Sequence, residues 1–193
     1  ELVIMEGTTF KNFILNFEAC CEALWDPYKF DGEEFYLRWC TEQFGEKAAP
    51  LTVKSLKKLH DANDKSGGIV AIFWALHGYI NFLKHMIPPK MDKLILIASS
   101  PSRFLPDAVR NILDDIEEAL TFAKEAEKYV SKDRRLYFDD YVLFQEKVFA
   151  QSMWVLYHLS KVMEAYVMGA NKKKGLEYID IASRNLIKLH SML

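Results

Sequence analysis

The sequence predicts an all-α fold, an antiparallel bundle of six to seven helices with one long central helix. Only 8 Gly and 6 Pro occur in 193 residues, so the chain holds few of the turns that a β-sandwich or a barrel needs. Half of the residues are apolar, which is enough to build a buried core. The apolar residues also recur at three- and four-residue steps, the spacing of one helical face.

The first predicted helix runs from Phe10 to Trp25. Asp26-Pro27 ends it, because proline lacks the amide N–H that would continue the helix and restricts the residue before it. Its expected apolar face consists of Phe10, Phe13, Ile14, Phe17, Cys20, Cys21 and Leu24.

Capping residues delimit the next two helices. Asp31 and Glu34 have the D-x-x-E form of a capping box at the start of the second helix, and Gly45 suits its C-terminal end. Pro50 fits the first turn of the third helix, which Ser66-Gly67-Gly68 closes.

The middle of the chain predicts a very apolar fourth helix to about Met86, a connecting loop from Met91 to Pro106, and a helix from Asp107 to about Val130. The solvent side of this last helix is expected to carry Asp114, Asp115, Glu117 and Glu118.

The predicted central helix covers Asp133 to Gly169, a span without internal Gly or Pro that is apolar on more than one face. A basic run, Lys172-Lys173-Lys174, follows as solvated surface. We expect the last helix to begin after Gly175 and to be amphipathic.

Composition and charge exclude several classes of partner. The formal net charge is −2, so the chain lacks the basic field that nucleic-acid binding uses. The most apolar segment, 69–83, is shorter than the roughly 20 apolar residues of a membrane span. We therefore expect neither nucleic acid nor membrane as a partner. Cys20, Cys21 and Cys40 show no disulfide or zinc spacing and are interpreted as small buried hydrophobes.

No catalytic signature is recognisable. His77 and His85 lie eight residues apart on one predicted helix, but the E-x-x-H spacing of bundle metal sites is absent, so we expect no metal and no cofactor. Glu18, Glu22 and Asp26 form an acidic group that could act as acid and base, although solvated or capping carboxylates are the favoured interpretation.

Two sequence segments resemble a pattern of large polysaccharide-degrading glycoside hydrolases. In α-glucuronidases of glycoside hydrolase families 67 and 115, an Ala-x-Trp-Asn/Asp-Pro motif follows the end of the TIM-like catalytic barrel. A helix ending in a Trp…Gln-Phe-Gly pattern and a helical bundle come next. Here Ala23-Leu24-Trp25-Asp26-Pro27, Trp39 and Gln43-Phe44-Gly45 occupy those places, all within residues 1–50. The rest of the chain agrees with these families only in being helical.

The resemblance implies a non-catalytic C-terminal helical domain that packs on its own upstream catalytic domain and contributes to dimerisation. The 193 residues are too few for a barrel, which takes about 250, so no catalytic role is carried over to any residue. A polysaccharide or oligosaccharide would be bound through the parent enzyme. Trp25, Asp26 and Tyr28 are the residues expected near the sugar site or the domain junction, against the alternative of a capped helix end with a packed Trp.

The domain prediction is one helical domain over residues 1–193, with junction helices in 1–50 and a bundle in 51–193. The chain opens without an initiator Met, which suggests a piece of a longer polypeptide. One alternative is a free-standing binding module that uses the apolar face of the Phe138–Tyr166 helix as a groove. Another is a bundle enzyme, which needs His77, His85 and His158 to converge.

Overall fold

The computed structural model describes residues 10–85, 105–165 and 171–192, and within these ranges the chain forms helices and no β-strand. The all-α bundle is thereby confirmed, and seven of its α-helices have 13 residues or more. The predicted loop from Met91 falls almost entirely outside the described residues. The helices are α1 (Phe10–Trp25), α2 (Gly32–Phe44), α3 (Ala49–Ser66), α4 (Gly68–His85), α5 (Pro106–Glu127), the short α6 (Arg135–Phe138), α7 (Phe144–Met163) and α8 (Lys172–His190).

The predicted helix ends of α2 are confirmed. The Asp31 carboxylate accepts hydrogen bonds from the backbone N–H groups of Glu33 and Glu34 at 2.8 and 3.1 Å, which satisfies two free donors of the first turn. At the other end, Gly45 adopts a φ of 92° and its N–H donates to the Thr41 carbonyl at 2.9 Å. Such a backbone conformation favours glycine because it has no Cβ.

The predicted long central helix is confirmed in its described part, although it begins at Arg135 and not at Asp133, and its predicted end at Gly169 lies outside the described residues. The backbone is helical without interruption from Arg135 to Ala165, and it includes a π-helical turn at Asp139–Leu143. In that turn the N–H of Phe144 donates to the Asp139 carbonyl, one residue further back than in an α-helix. Three consecutive side chains of the turn, Tyr141, Val142 and Leu143, are buried.

The chain divides into two compact units. The first contains the described residues up to Leu56 together with Thr121–Gln145. Its core is rich in aromatic side chains: the Phe44 and Phe138 rings meet edge to face at 5.0 Å, and Trp39 lies 5.4 Å from Tyr141. The predicted single domain over residues 1–193, divided into junction helices (1–50) and a bundle (51–193), stays a prediction.

The second unit contains Lys57–Leu120 together with the described residues from Glu146 onward. Aliphatic residues of α5 and α7 dominate its core. The largest fully or almost fully buried ones are Ile112, Leu113, Ile116, Met153 and Leu156. None of the helices described in the two units is long and apolar enough to cross a membrane.

The predicted solvent side of α5 is wrong at Asp115, which is buried. Lys58 and Lys65 of α3 explain this position, because both ammonium groups contact the Asp115 carboxylate, Lys58 at 3.4 Å. A carboxylate can leave solvent when opposite charges replace the lost hydration. The neighbouring Asp114 and Glu118 are exposed, as expected.

The predicted apolar face of α1 is wrong in its second half. Among the side chains of this helix that the structure describes, Leu15 is buried, and its N–H lies 3.4 Å from the Tyr141 hydroxyl. The side chains of Phe10 and Phe13, which the predicted face also included, lie outside the described part of the chain. Cys20, Cys21 and Leu24 are exposed. Because the side of α1 that carries Leu15 packs against the core, the side that carries these three residues faces solvent.

The predicted start of the last helix is also wrong. Helix α8 begins at Lys172 because the Asn171 side chain accepts a hydrogen bond from the Lys174 N–H at 3.0 Å and caps it. The Lys172–Lys174 run therefore belongs to the first turn of α8, where all three side chains are exposed, and Gly175 is buried inside the helix.

Candidate functional site

The candidate site is the corner between α1 and α2, which contains the three predicted residues Trp25, Asp26 and Tyr28. Backbone hydrogen bonds hold the turn: the N–H groups of Lys29 and Phe30 both donate to the Asp26 carbonyl at 3.1 Å. Asp31 then starts α2 as its N-cap. The corner consequently has a defined backbone conformation, set by Pro27 at one side and by the Asp31 cap at the other.

The two aromatic side chains of this corner lie in solvent. Trp25 is 92% exposed and Tyr28 is 98% exposed, although each is large enough to stabilise a core if it were buried. The alternative of a packed Trp at a capped helix end is therefore wrong for Trp25. Exposed Trp and Tyr side chains are typical of surfaces that bind another molecule.

The acidic residues of the corner are held in ion pairs. Both carboxylate oxygens of Glu22 lie 2.5 Å from Nη2 of Arg38, and this hydrogen bond raises the pKa of the Arg38 guanidinium above its usual value. Asp26 pairs with Lys29 at 3.1 Å. The favoured interpretation of solvated carboxylates agrees with these contacts, because both acids keep a charged partner at the surface.

A surface hollow of about 510 Å³ lies beside Trp25. It combines an indole face with two carboxylates and an ammonium group, so the corner can offer both apolar and hydrogen-bonding contacts. The residues lining the hollow are Cys21, Glu22, Trp25, Asp26, Lys29 and Phe30.

The structure corrects the interpretation of the cysteines. Cys20 and Cys21 are exposed on α1, because the buried face of this helix passes through Leu15 instead. Cys40 alone is buried as expected, and burial raises the pKa of its thiol to about 12. Cys21 therefore lines the candidate site. The helical spacing of the apolar residues had instead placed it in the core.

The histidines do not form a shared site in the described part of the chain. His77 lies edge to face against Trp74 at 6.2 Å, whereas His158 stacks on Trp154 and places its Nδ1 2.8 Å from the Trp154 carbonyl oxygen. The side chain of His85 lies outside the described residues. Within the described ranges no three His, Cys, Asp or Glu side chains are arranged to hold a metal ion.

The apolar face of the central helix packs into the protein's own core. Phe138 and Tyr141 are buried in the first unit, and Trp154 and Tyr157 pack against the core of the second. Tyr166 lies outside the described residues. These contacts leave the buried side chains of this helix inside the chain rather than along a groove for a ligand.

Comparisons with known proteins identify no relative. No protein-family model, no curated protein and no solved structure matches this chain. The likeness to glycoside hydrolase families 67 and 115 therefore stays a prediction that depends on the Trp25-Asp26-Pro27 and Gln43-Phe44-Gly45 segments.

Proposed function

We propose that this chain is a non-catalytic helical domain of a larger carbohydrate-active glycoside hydrolase, where it packs on the catalytic barrel and contributes to dimerisation. The observation that supports the first part is the exposure of Trp25 and Tyr28 at the α1–α2 corner. This corner coincides with the Trp-Asp-Pro segment, which in the resembling enzymes follows the barrel.

The chemistry of the corner suits docking of another folded domain. Trp and Tyr contribute most when they insert into the centre of an interface, where each buries roughly 150–250 Å². The hydrogen-bonded turn fixes the backbone that carries them, so little conformational entropy is lost on binding. The Glu22–Arg38 and Asp26–Lys29 pairs would form a charged rim around this aromatic centre.

The role of such a domain is to buttress the barrel and not to hydrolyse a glycosidic bond. A glycosidase needs a carboxylic acid and a second carboxylate facing each other across the substrate. At the corner, Glu22 and Asp26 are each occupied by a basic side chain instead. Hydrolysis would therefore depend on the barrel, and the helical domain alone would be inactive.

The first test is to read the coding sequence on both sides of this chain. Alternating strand and helix patterns upstream, with acidic residues at the strand ends, would support the proposal. A reading frame without any such region would overturn it.

The second test measures docking directly by titration calorimetry of the 193-residue chain with the separately produced barrel. Trp25→Ala should weaken binding about 30-fold, as expected for the loss of a central aromatic contact. Trp74→Ala is the matched control, because Trp74 is also an exposed tryptophan but lies on α4. Equal effects of the two substitutions would contradict docking at the α1–α2 corner.

A further inference from the structure

The α1–α2 corner exposes two aromatic rings that no cation of the described chain covers. Elsewhere, half-buried rings have a basic side chain over them: the Arg110 guanidinium, for example, lies 5.4 Å from the centre of the Trp154 ring. No described lysine or arginine lies over Trp25 or Tyr28. An aromatic face attracts a guanidinium or an ammonium group. The two rings of the corner can therefore accept a cationic side chain from another molecule.

The helices that form the corner carry an excess of negative charge. Residues 10–45, which comprise α1, the turn and α2, contain seven acidic and three basic side chains, whereas the whole chain has a formal net charge of −2. Three carboxylates act on the Arg38 guanidinium: the hydrogen bond to Glu22 and the charges of Glu22, Glu42 and Glu34 raise its pKa. One guanidinium cannot neutralise three carboxylates, so the surface beside the corner remains acidic.

The neighbouring helix α6 balances only part of this excess. Burial raises the pKa of the Tyr137 hydroxyl, the charge of Glu18 raises it further, and the charge of Arg134 lowers it. Arg134 therefore lies on the same side as Glu18 and can offset that one carboxylate. It is absent from the charges that act on Arg38, so the acidic surroundings of this guanidinium are left unchanged.

The hollow beside Trp25 places hydrogen-bond acceptors next to an aromatic ring. Its lining contains the Glu22 and Asp26 carboxylates against one ammonium group, that of Lys29. An ionised carboxylate has about four acceptor positions, and the contacts with Arg38 and Lys29 do not use all of them. The Asp26–Lys29 pair is exposed and contributes little, so Lys29 can give way to another cation. The volume of about 510 Å³ is within the usual range of ligand sites.

We propose that the protein partner of the α1–α2 corner has a basic surface and inserts an arginine side chain into this hollow. Its guanidinium stacks on the Trp25 ring and donates to Glu22 or Asp26. Arginine suits the site better than lysine, because its planar group can stack and donate hydrogen bonds at the same time. Further basic side chains of the partner face Glu34 and Glu42, so opposite charges meet around an aromatic centre.

This inference rests on the proposed function for the identity of the partner, since it assigns the basic surface to the catalytic barrel. The chemistry of the hollow is independent of that identity. A probe that carries arginine can therefore test it without the barrel.

The experiment is a nuclear magnetic resonance titration of the full 193-residue chain, labelled with nitrogen-15, with the peptide acetyl-Gly-Arg-Gly-Arg-Gly-amide. The indole N–H signal of Trp25 is identified by its loss in Trp25→Phe. The matched probe replaces each arginine by citrulline, which has nearly the same shape and no charge. We expect the arginine peptide to shift the Trp25 signal at millimolar concentration and the citrulline peptide to leave it unchanged.

A pair of variants separates the local charge from the net charge. Asp26→Asn removes one carboxylate of the hollow and should weaken binding of the arginine peptide about threefold. Asp61→Asn is the control, because it changes the net charge equally at an exposed position of α3. Circular dichroism should show the same helicity for both variants. Equal effects of the two substitutions on binding would overturn the proposal.

The wild-type titration is decisive without any variant. A Trp25 signal that does not move, or that moves equally with both peptides, would overturn the basic partner. If the arginine peptide binds but no barrel is encoded upstream, the proposed function fails and the arginine site stands. If the barrel docks through Trp25 but the arginine peptide does not bind, the arginine site fails and the proposed function stands.

Discussion

The three cysteine thiols lie in two different chemical environments. Cys40 is fully buried in the aromatic core of the first unit, and burial raises its pKa to about 12. Cys20 and Cys21 lie exposed on α1. Because the thiolate is the reactive form, Cys40 is protected both by its surroundings and by its protonation, whereas the other two are open to reagents.

Thiol labelling at pH 8 should therefore proceed in two steps. We expect Cys20 and Cys21 to react rapidly with a chromogenic disulfide reagent, and Cys40 to react only when the chain unfolds in denaturant. Cys40→Ala should remove the slow step and leave the fast one unchanged. Rapid reaction of all three thiols in the native protein would show that Cys40 is not buried.

At the scale of the helix, Gly45 and Gly78 occupy contrasting backbone positions. Gly45 ends α2 with a φ of 92°, whereas Gly78 lies inside α4, and at both positions an added Cβ would meet nothing within 4 Å. The absence of steric contact leaves backbone preference as the main difference between them. Alanine is unfavourable at positive φ and more favourable than glycine within a helix.

The two Gly→Ala substitutions should consequently change stability in opposite directions. Gly45→Ala should lower the free energy of unfolding by about 1 kcal/mol, and Gly78→Ala should raise it by about 0.5–1 kcal/mol. Urea denaturation followed by circular dichroism measures both. A stabilising Gly45→Ala would contradict the positive φ at the end of α2.

Sequence patterns could predict the helix ends, but not every buried position. Asp31 and Gly45 were predictable because capping depends on neighbouring residues alone. The burial of Asp115 was not, since it requires Lys58 and Lys65 from a helix about fifty residues earlier in the chain. The same limit applies to Cys20 and Cys21, because periodicity indicates that a helix has an apolar face and does not indicate which part of it is covered.

The candidate site was predictable only in part, for a related reason. The Trp-Asp-Pro segment indicated that Trp25, Asp26 and Tyr28 lie together at a helix end, which local chain geometry fixes. Their exposure depends on where α1 packs, and the sequence contains no local signal for it. Lys29 and Arg38, which pair with the acidic residues of the corner, were missed because solvated surface charges occur at many positions.

At the scale of the whole molecule, the α1–α2 corner and Gly78 belong to different compact units. The corner lies in the first unit, and α4, which contains Gly78, lies in the second. The Asp26 turn and the Asp31 cap hold the backbone of the corner. Changes at sites that share no partners usually act additively.

Docking and stability should therefore be separable by mutation. We expect Trp25→Ala to weaken binding of the barrel and to leave the free energy of unfolding nearly unchanged, because this side chain is 92% exposed. Gly78→Ala should raise the free energy of unfolding and leave binding unchanged. A chain carrying both substitutions should show both effects at the same size as the separate variants. Titration calorimetry and urea denaturation of all three proteins test this directly, because a substitution that altered both properties would mean that the corner and α4 are coupled.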